Sequence, residues 1–202
     1  LCAAPGGKTA QLAAAGARVT AVDISPTRLA RLADNLARLR LSAEVVAADI
    51  LVWQPPRRFD AVLLDAPCSA TGTLRRHPDI AWNKTADDVA ALVELQQRMI
   101  GAAAAMVRPG GLLVYANCSL LKSEGEDLIA GLLATDRRLS VVPVAAAEIG
   151  GEAAWINGQA ALRPAARARL CGRARRLLRV PPARRRLRVA RLPPGCSLSA
   201  NG

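Results

Sequence analysis

Three short apolar segments of this chain each close on an aspartate, and this repetition narrows the folds open to it. The segments are RVTAVD, EVVAAD and DAVLLD, which end at Asp23, Asp49 and Asp65. Helix-like patterns are interspersed with them, and alternating strands and helices are typical of a mostly parallel sheet covered on both faces. Ligands bind at the carboxyl edge of such sheets. The sequence therefore predicts an α/β fold with three carboxylates at a binding edge.

Capping signals mark where the helices should begin. Ser25 and Pro26 supply an N-cap and a first-turn proline, and leucines follow at helical spacing. Thr85 and Ser123 are each followed three residues later by an acid, which is the spacing of a capping box. We expect helices to start at both places, the first ending before the turn at residues 109–111 and the second running through Leu133.

The cofactor hypothesis starts from the segment LCAAPGGKT at Leu1 to Thr9. Its end resembles a phosphate loop, but the first glycine of that pattern would fall where this chain has Cys2. What remains is a turn of small residues at a helix N-terminus, where backbone amides can approach a ligand. Together with the three aspartates, this turn favours a nucleoside-bearing cofactor. Nicotinamide dinucleotides stay open, although G-x-G-x-x-G is absent.

Two cysteines follow the most apolar strands of the predicted sheet. Cys68 comes after DAVLLD, and Cys118 comes after LLVY at residues 112–115. Neighbouring strands lie about 5 Å apart, so adjacent strands would bring both thiols and Asp65 around one small pocket. A free cysteine is usually a small buried hydrophobe. Paired in polar turns at strand ends, these two are interpreted as reactive groups.

Composition sets the outer limits. The 202 residues are 51% apolar, enough for one domain with a core, and no apolar run reaches the length of a membrane helix, so the cytoplasm is the expected location. The five cysteines include no CxxC pair, which argues against a disulfide framework and a zinc ribbon, and we expect free thiols and no metal.

The net charge of +12 lies entirely in the last part of the chain. Twelve of the 28 basic residues follow Leu162 and none of the 16 acids does, so residues 1–162 are neutral overall. Arginine and proline interrupt every apolar run there, and no strand or helix pattern is convincing. We divide the chain into a catalytic domain at 1–162 and a disordered or frameshifted tail at 163–202.

Several motifs together carry a family resemblance. They are CAAPGGKT, DAPCSATG followed by RRHPDI, and VYANCSL followed by EGED. In combination they resemble the RNA cytosine-5 methyltransferases of the Fmu/Sun family, from Leu1 to about Leu162. The resemblance implies a Rossmann-like class I methyltransferase sheet, S-adenosyl-L-methionine as cofactor, and RNA, ribosomal RNA in particular, as substrate. A monomer is expected.

The resemblance also implies a role for each motif residue. Cys118 would be the nucleophile, Cys68 would assist product release, and Asp65 would border the cofactor and the target base. Asp23 would bind the ribose of the cofactor and Asp49 its adenine region. The methionine end would lie against a turn made of Cys2, Ala3, Ala4, Pro5, Gly6, Gly7 and Lys8.

The basic trio Arg75, Arg76 and His77 is interpreted as a guide for the RNA backbone, with a solvated loop as an equally weighted alternative. The target base has to leave its stack to reach the thiols, which is why a guide beside them is useful.

This sequence departs from the family in three ways. Asn117 stands where the family has threonine before the nucleophile. The first strand, which in the family precedes the glycine turn, is expected to be missing, as is an upstream RNA-binding region. After Leu162 the composition becomes that of GC-rich DNA read in a shifted frame. Reading the gene in its other two frames tests this hypothesis against the alternative, a basic RNA-binding arm.

Two other classes of function stay open at this point. One is a nicotinamide-dependent Rossmann oxidoreductase, which would have no use for a pair of thiols at strand ends. The other is a non-catalytic RNA-binding protein, which would keep binding RNA after Cys118→Ala.

We predict that the 202-residue chain binds S-adenosylmethionine weakly or not at all. Without the first strand, a gap would lie between the strands ending at Asp23 and Asp65, exposing apolar surface. Isothermal titration calorimetry measures the affinity directly, and a micromolar dissociation constant would refute the prediction.

Overall fold

The structure, a computed structural model, describes residues 1–145 and the backbone of residues 185–191. These residues fall into two compact units, Leu1–Pro55 and a second unit that begins at Pro56. The first unit contains, in chain order, α1 (Gly7–Ala14), β1 (Thr20–Asp23), α2 (Pro26–Arg38) and β2 (Glu44–Ala47). The second contains β3 (Phe59–Asp65), two 3-10 turns (Thr71–Thr73 and Pro78–Ala81), α3 (Ala86–Met106), β4 (Val107–Asn117), α4 (Glu126–Thr135), β5 (Leu139–Val141) and β6 (Arg185–Arg191).

The first unit is a two-stranded parallel sheet with helix α2 supplying most of its core. Strands β1 and β2 pair from Thr20 opposite Glu44 to Asp23 opposite Ala47. The leucines predicted from helical spacing pack with two alanines of α1 and β1, and the cluster comprises Ala10, Ala21, Leu29, Leu32 and Leu36. As predicted, the Ser25 hydroxyl caps α2, accepting the N–H of Arg28, and Pro26 occupies its first turn.

The second unit is a four-stranded parallel sheet with the order β3-β4-β6-β5. Strands β3 and β4 pair continuously from Ala61 opposite Leu112 to Asp65 opposite Ala116, after an irregularity near Phe59. The condition on which the meeting of the two thiols depends, namely that the two most apolar strands are neighbours, is therefore met.

Two predicted boundaries are wrong. Strand β2 ends at Ala47, so Asp49 lies just beyond it rather than closing it. Strand β4 begins at Val107, so the expected turn at residues 109–111 lies within the strand. Phe59 pairs with Val107 and Ala61 with Leu112, so residues 108–111 bulge out of the register between these two pairs.

One predicted capping box is confirmed and the other is wrong. The side chain of Thr85 accepts the N–H of Asp88, whose carboxylate accepts the N–H of Thr85, and α3 starts there. Helix α4 instead begins after Gly125, and Ser123 does not cap it. The Lys122 carbonyl accepts the N–H groups of Gly125 and, at 3.0 Å, Asp127, and this backbone turn takes the place of a side-chain cap.

The absence of any strand beyond Leu162 was also predicted wrongly. Strand β6, at Arg185–Arg191, pairs in parallel with both β4 and β5. Leu187 and Val189 alternate with arginines, and this period of two fits a strand even though the segment is strongly basic. The rest of the predicted tail at 163–202 lies outside the described residues. Within the part of the chain that is described, no helix is both long and apolar enough to cross a bilayer.

We predict that Leu32→Ala destabilises the first unit by about 2–5 kcal/mol, because Leu32 is fully buried and its truncation leaves a cavity in the cluster. Leu39→Ala is the matched control. Leu39 belongs to the same helical stripe but is 40% exposed at the C-cap of α2, so a loss below about 1 kcal/mol is expected. Urea unfolding followed by circular dichroism measures both, and equal losses would contradict the assigned core.

Candidate functional site

The glycine turn leads directly into the N-terminus of α1. Gly6, the N-cap, has φ of 105°, and a Cβ there would lie 2.9 Å from Leu32 Cγ, so only glycine fits. No side chain caps the first turn of α1, and nothing lies within 4 Å of the position that a Cβ on Gly7 would take. The turn therefore presents open backbone at the positive end of a helix, which suits an anionic group or another acceptor.

Asp23 holds this turn in place. Its side chain is 2% exposed, and its two carboxylate oxygens accept the N–H groups of Ala4 and Ser25, each at 3.1 Å. Arg28 lies 3.7 Å from Asp23 Oδ1 and donates to the Ala4 carbonyl at 2.7 Å. The carboxylate predicted to bind a ribose is thus bound to the backbone of the turn, and the ribose contact stays a prediction.

The other two predicted carboxylates lie in different units. Asp49 is half-buried just beyond β2, at the same end of the first unit's sheet as Asp23, and its Oδ1 accepts the Leu51 N–H at 2.9 Å. Asp65 is half-buried at the last position of β3 in the second unit. The first unit therefore contains the glycine turn and two of the carboxylates, and the second contains Asp65 together with both thiols.

The two thiols are in direct contact. Cys68 Sγ lies 3.3 Å from Cys118 Sγ, within hydrogen-bonding distance for sulfur, and both side chains are partly buried. The pairing of β3 with β4 brings them together, because each cysteine follows the end of its strand by only a few residues. The paired thiols predicted from the sequence are confirmed as neighbours.

The contact affects the acidity of Cys68. The neighbouring Cys118 sulfur, first through a hydrogen bond, and burial second raise the pKa of the Cys68 thiol well above its ordinary range. Cys68 therefore keeps its proton at neutral pH and can donate its S–H to Cys118. A donor at this position stabilises a thiolate on Cys118, the form in which a cysteine acts as a nucleophile.

A buried polar network surrounds the thiols. At its centre is Glu124, which is fully buried and follows β4 along the chain. Its carboxylate accepts hydrogen bonds from the Ser69 N–H and hydroxyl and from Gln96 Nε2, and its backbone carbonyl accepts from Asn117 Nδ2 and the Tyr115 hydroxyl. Glu124 is not among the site residues predicted from the sequence. It is the first acid of the EGED motif, which entered only as part of the family resemblance and, through Glu126, as a helix start.

Hydroxyl groups join the two cysteine loops across the network. Ser69, the residue after Cys68, and Ser119, the residue after Cys118, have their Oγ atoms 3.1 Å apart. Ser119 Oγ is also 3.1 Å from Thr71 Oγ1, which accepts the N–H of Leu120. The residue after each thiol is thus fixed to the residue after the other.

At Gly72, the backbone of the loop after β3 lies directly against the backbone of Cys118. Its N–H donates to the Cys118 carbonyl at 2.9 Å, and a Cβ at this position would lie 2.5 Å from that oxygen. No side chain fits without moving the backbone that carries Cys118. The loop after β3 and the end of β4 therefore touch main chain to main chain.

The predicted RNA guides occupy an exposed segment. Arg75, Arg76 and His77 are all exposed between the two 3-10 turns, and Trp82 nearby is 90% exposed. Among the residues that the structure describes, no group of three or more histidine, cysteine, aspartate or glutamate side chains is arranged to hold a metal ion.

Fold and site together define the class of this protein. Parallel α/β units with a glycine turn before a helix, and strand-end carboxylates beyond the sheet, are features of Rossmann-like enzymes. The family model described as 16S rRNA methyltransferase RsmB/F matches residues 1–168. This chain belongs to that family, and the resemblance to the Fmu/Sun methyltransferases is confirmed.

Curated relatives agree with the family model. The chain is 50% identical over 139 residues to ribosomal RNA small subunit methyltransferase B of Sodalis glossinidius, an alignment covering 66% of this chain and 32% of that protein. It is also 50% identical over 128 residues to the protein of the same name in Vibrio cholerae, covering 61% of this chain and 30% of the relative. The chain thus spans about a third of the length of the curated relatives it matches.

Solved structures confirm the predicted fold class. One is described as NSun6 from Pyrococcus horikoshii with SFG, with 33% identity and a TM-score of 0.59, covering 66% of this chain and 35% of that one. Another is a methyltransferase homolog from the same organism, with 35% identity and a TM-score of 0.56, covering 65% and 42%. The Rossmann-like methyltransferase sheet predicted from the sequence is therefore shown, in part of its extent.

We predict that Cys118→Ala makes Cys68 more reactive towards iodoacetamide at pH 8. Only the thiolate is alkylated, and the contact with Cys118 is the largest cause of the raised pKa of Cys68, so its removal increases the thiolate fraction. A rate increase of roughly tenfold corresponds to one pKa unit. Peptide mass spectrometry over a time course measures the rate, with Cys2 of the same chain as internal reference. An unchanged Cys68 rate would contradict the assigned cause.

Proposed function

We propose that this chain is catalytic sequence of an enzyme that methylates C5 of a cytosine in RNA, using S-adenosyl-L-methionine and a covalent cysteine adduct. The observation that carries the proposal is the 3.3 Å contact between Cys68 and Cys118 at the ends of two paired strands. The names of the relatives favour small-subunit ribosomal RNA as the substrate.

The glycine turn fits the amino-acid end of the cofactor. The uncapped N-terminus of α1 and the open space beside Gly7 suit a carboxylate. Asp49, with only Oδ1 hydrogen-bonded among the described residues, has an acceptor left for the nucleoside. We assign Cys2–Lys8 to the methionine end, Asp23 to the ribose as well as to the turn, and Asp49 to the adenine region. When bound, the cofactor supplies an electrophilic methyl group.

Cys118 supplies the activation that cytosine needs. C5 of cytosine is not nucleophilic by itself, so a thiolate first adds to C6, and the electron pair of the C5–C6 double bond becomes available at C5. An S–H of Cys68 that donates to Cys118 across the 3.3 Å contact would stabilise the thiolate before attack. We assign Asp65, at the last position of β3, to the border between the cofactor and the target base.

Cys68 has its second role once C5 carries the methyl group. A water molecule accepts the C5 proton, the electron pair re-forms the C5–C6 double bond, and the bond from Cys118 Sγ to C6 breaks. Cys68, 3.3 Å from the leaving sulfur, is near enough to stabilise the departing thiolate through a hydrogen bond from its S–H, and it keeps its proton. The enzyme returns to its starting state with 5-methylcytosine as product.

The RNA has to present an unstacked base. Bases splayed from RNA stack on aromatic side chains, and phosphates are held by basic ones. The exposed segment with Arg75, Arg76, His77 and Trp82 offers both kinds of group. We assign it to the RNA beside the target cytosine.

The first chemical step can be tested without cofactor. Once Cys118 has added to C6, C5 can take a solvent proton and lose its original hydrogen when the thiolate leaves. We predict that the chain releases tritium from small-subunit ribosomal RNA containing [5-³H]cytidine. Cys118→Ser is expected to slow release at least about 100-fold, because the nucleophile is lost. Cys171→Ser is the matched control and should release tritium at the wild-type rate.

The alternatives give different results. A non-catalytic RNA-binding protein would retain RNA after Cys118→Ala and release no tritium as wild type. A nicotinamide oxidoreductase would release none and would oxidise or reduce the dinucleotide. With cofactor added, nuclease digestion and mass spectrometry identify the methylated atom. Methylation at an atom other than C5, or equal release by Cys118→Ser, would overturn the proposal.

A further inference from the structure

Glu124 is a buried carboxylate to which the proposed chemistry gives no role. It is fully excluded from solvent, and no lysine or arginine within residues 1–145 forms an ion pair with it. A buried charge is costly unless hydrogen-bond donors satisfy it. Three hydrogen bonds from Ser69 and Gln96 do so. A buried carboxyl group requires its hydrogen-bond donors to stay in place. An apolar side chain at the same position would place no such requirement on its neighbours.

Two of the three donors come from the loop that carries Cys68, and the third comes from helix α3. Both the N–H and the hydroxyl of Ser69, the next residue, bind the Glu124 carboxylate. Gln96 Nε2 donates to Glu124 and, at 2.8 Å, to the carbonyl of Pro67, the residue before Cys68. The carboxylate therefore fixes the chain on both sides of Cys68, once directly and once through Gln96.

The same residue also holds the end of β4. The backbone carbonyl of Glu124 accepts hydrogen bonds from Asn117 Nδ2 and the Tyr115 hydroxyl, and Asn117 precedes Cys118. Asn117 Oδ1 accepts the Ser119 N–H at 3.0 Å, so the Asn117 side chain links Ser119 to the backbone of Glu124. Glu124 thus has direct hydrogen bonds to a neighbour of each thiol, as Thr71 has through Ser69 and Ser119, and of these two residues only Glu124 is fully buried.

We propose that Glu124 is a positioning residue that sets the distance between the Cys68 and Cys118 sulfurs. It acts through Ser69, Gln96 and Asn117 and touches neither thiol. This inference rests on the proposed function for its purpose, namely that Cys68 must face Cys118 when the adduct forms and breaks. The claim that Glu124 sets the distance between the two sulfurs does not depend on RNA or cofactor, and the test uses neither.

The test measures how fast the two thiols can be joined. Diamide oxidises two nearby thiols to a disulfide, taking up their two electrons and two protons as its N=N bond becomes a hydrazine. The reaction requires the sulfurs to approach to about 2.05 Å. Formation of the Cys68–Cys118 disulfide in the 202-residue chain is followed by peptide mass spectrometry, while circular dichroism confirms that each variant is folded.

Glu124→Gln is expected to slow disulfide formation at least about tenfold. The substitution replaces one acceptor oxygen by an NH₂ group, which cannot accept the hydrogen bonds that Ser69 and Gln96 donate, so the loop around Cys68 loses part of its support. Glu94→Gln, the same change at an exposed position of α3, should oxidise at the wild-type rate. Ser69→Ala removes the hydroxyl's hydrogen bonds both to Glu124 and to Ser119 and should slow the reaction about threefold. Ser119→Ala removes the bond between the two serines but leaves Ser69 bound to Glu124, so it should oxidise faster than Ser69→Ala. This comparison decides the matter if Glu124→Gln does not fold. Wild-type rates in Ser69→Ala and in any folded Glu124→Gln would overturn the proposal.

A turnover measurement separates the two proposals. In the tritium-release assay, Glu124→Gln should lower kcat while leaving KM for RNA unchanged, since Glu124 lies away from the exposed RNA segment. Absence of release from the wild-type chain contradicts the proposed function, and the diamide rates still decide the position of Glu124. A merely stabilising role would lower the urea midpoint of Glu124→Gln without slowing disulfide formation in the folded protein.

Discussion

A carboxylate sealed from water, that of Glu124, is the constraint on which the arrangement of the thiols depends. A carboxyl group in this position cannot form hydrogen bonds with water, so the loss of any one of its donors would leave a buried oxygen without a hydrogen bond, which is costly. Hydrophobic contacts tolerate small shifts, whereas hydrogen bonds at 2.9 Å do not. Two loops that are distant in sequence are therefore fixed relative to one another more tightly than apolar packing would achieve.

The first unit applies the same device to a different loop. Asp23 is buried and binds the backbone of the glycine turn from one side and the start of α2 from the other. In each unit, a buried carboxylate thus orders an irregular segment that is assigned to the site: the glycine turn in the first unit and the loop with Cys68 in the second. The strands support these segments. Preorganisation of this kind reduces the entropy that a loop loses when it meets its ligand.

The sequence predicted those features of the structure that depend on residues close together in the chain. The apolar runs before Cys68 and Cys118 predicted two strands of a mostly parallel sheet, and the contact between the thiols follows because these strands are adjacent in the structure. Contacts between distant loops carry no such periodic signal. Glu124 meets Ser69 across 55 positions of sequence, and no local pattern announces that contact. The many arginines of β6 likewise made its strand pattern hard to recognise from the sequence. The segment forms a strand because it pairs between β4 and β5, and that position depends on tertiary structure.

The glycine opposite the Cys118 carbonyl also constrains how this sequence can change. Every single-base change in a glycine codon that alters the amino acid introduces at least a Cβ, and at Gly72 a Cβ meets a backbone oxygen at 2.5 Å. No mutational step away from Gly72 is gentle, whatever the chemistry of the new side chain. Gly72 can be replaced only together with a second substitution that moves the main chain around Cys118. Single neutral substitutions at this position are therefore expected to be very rare.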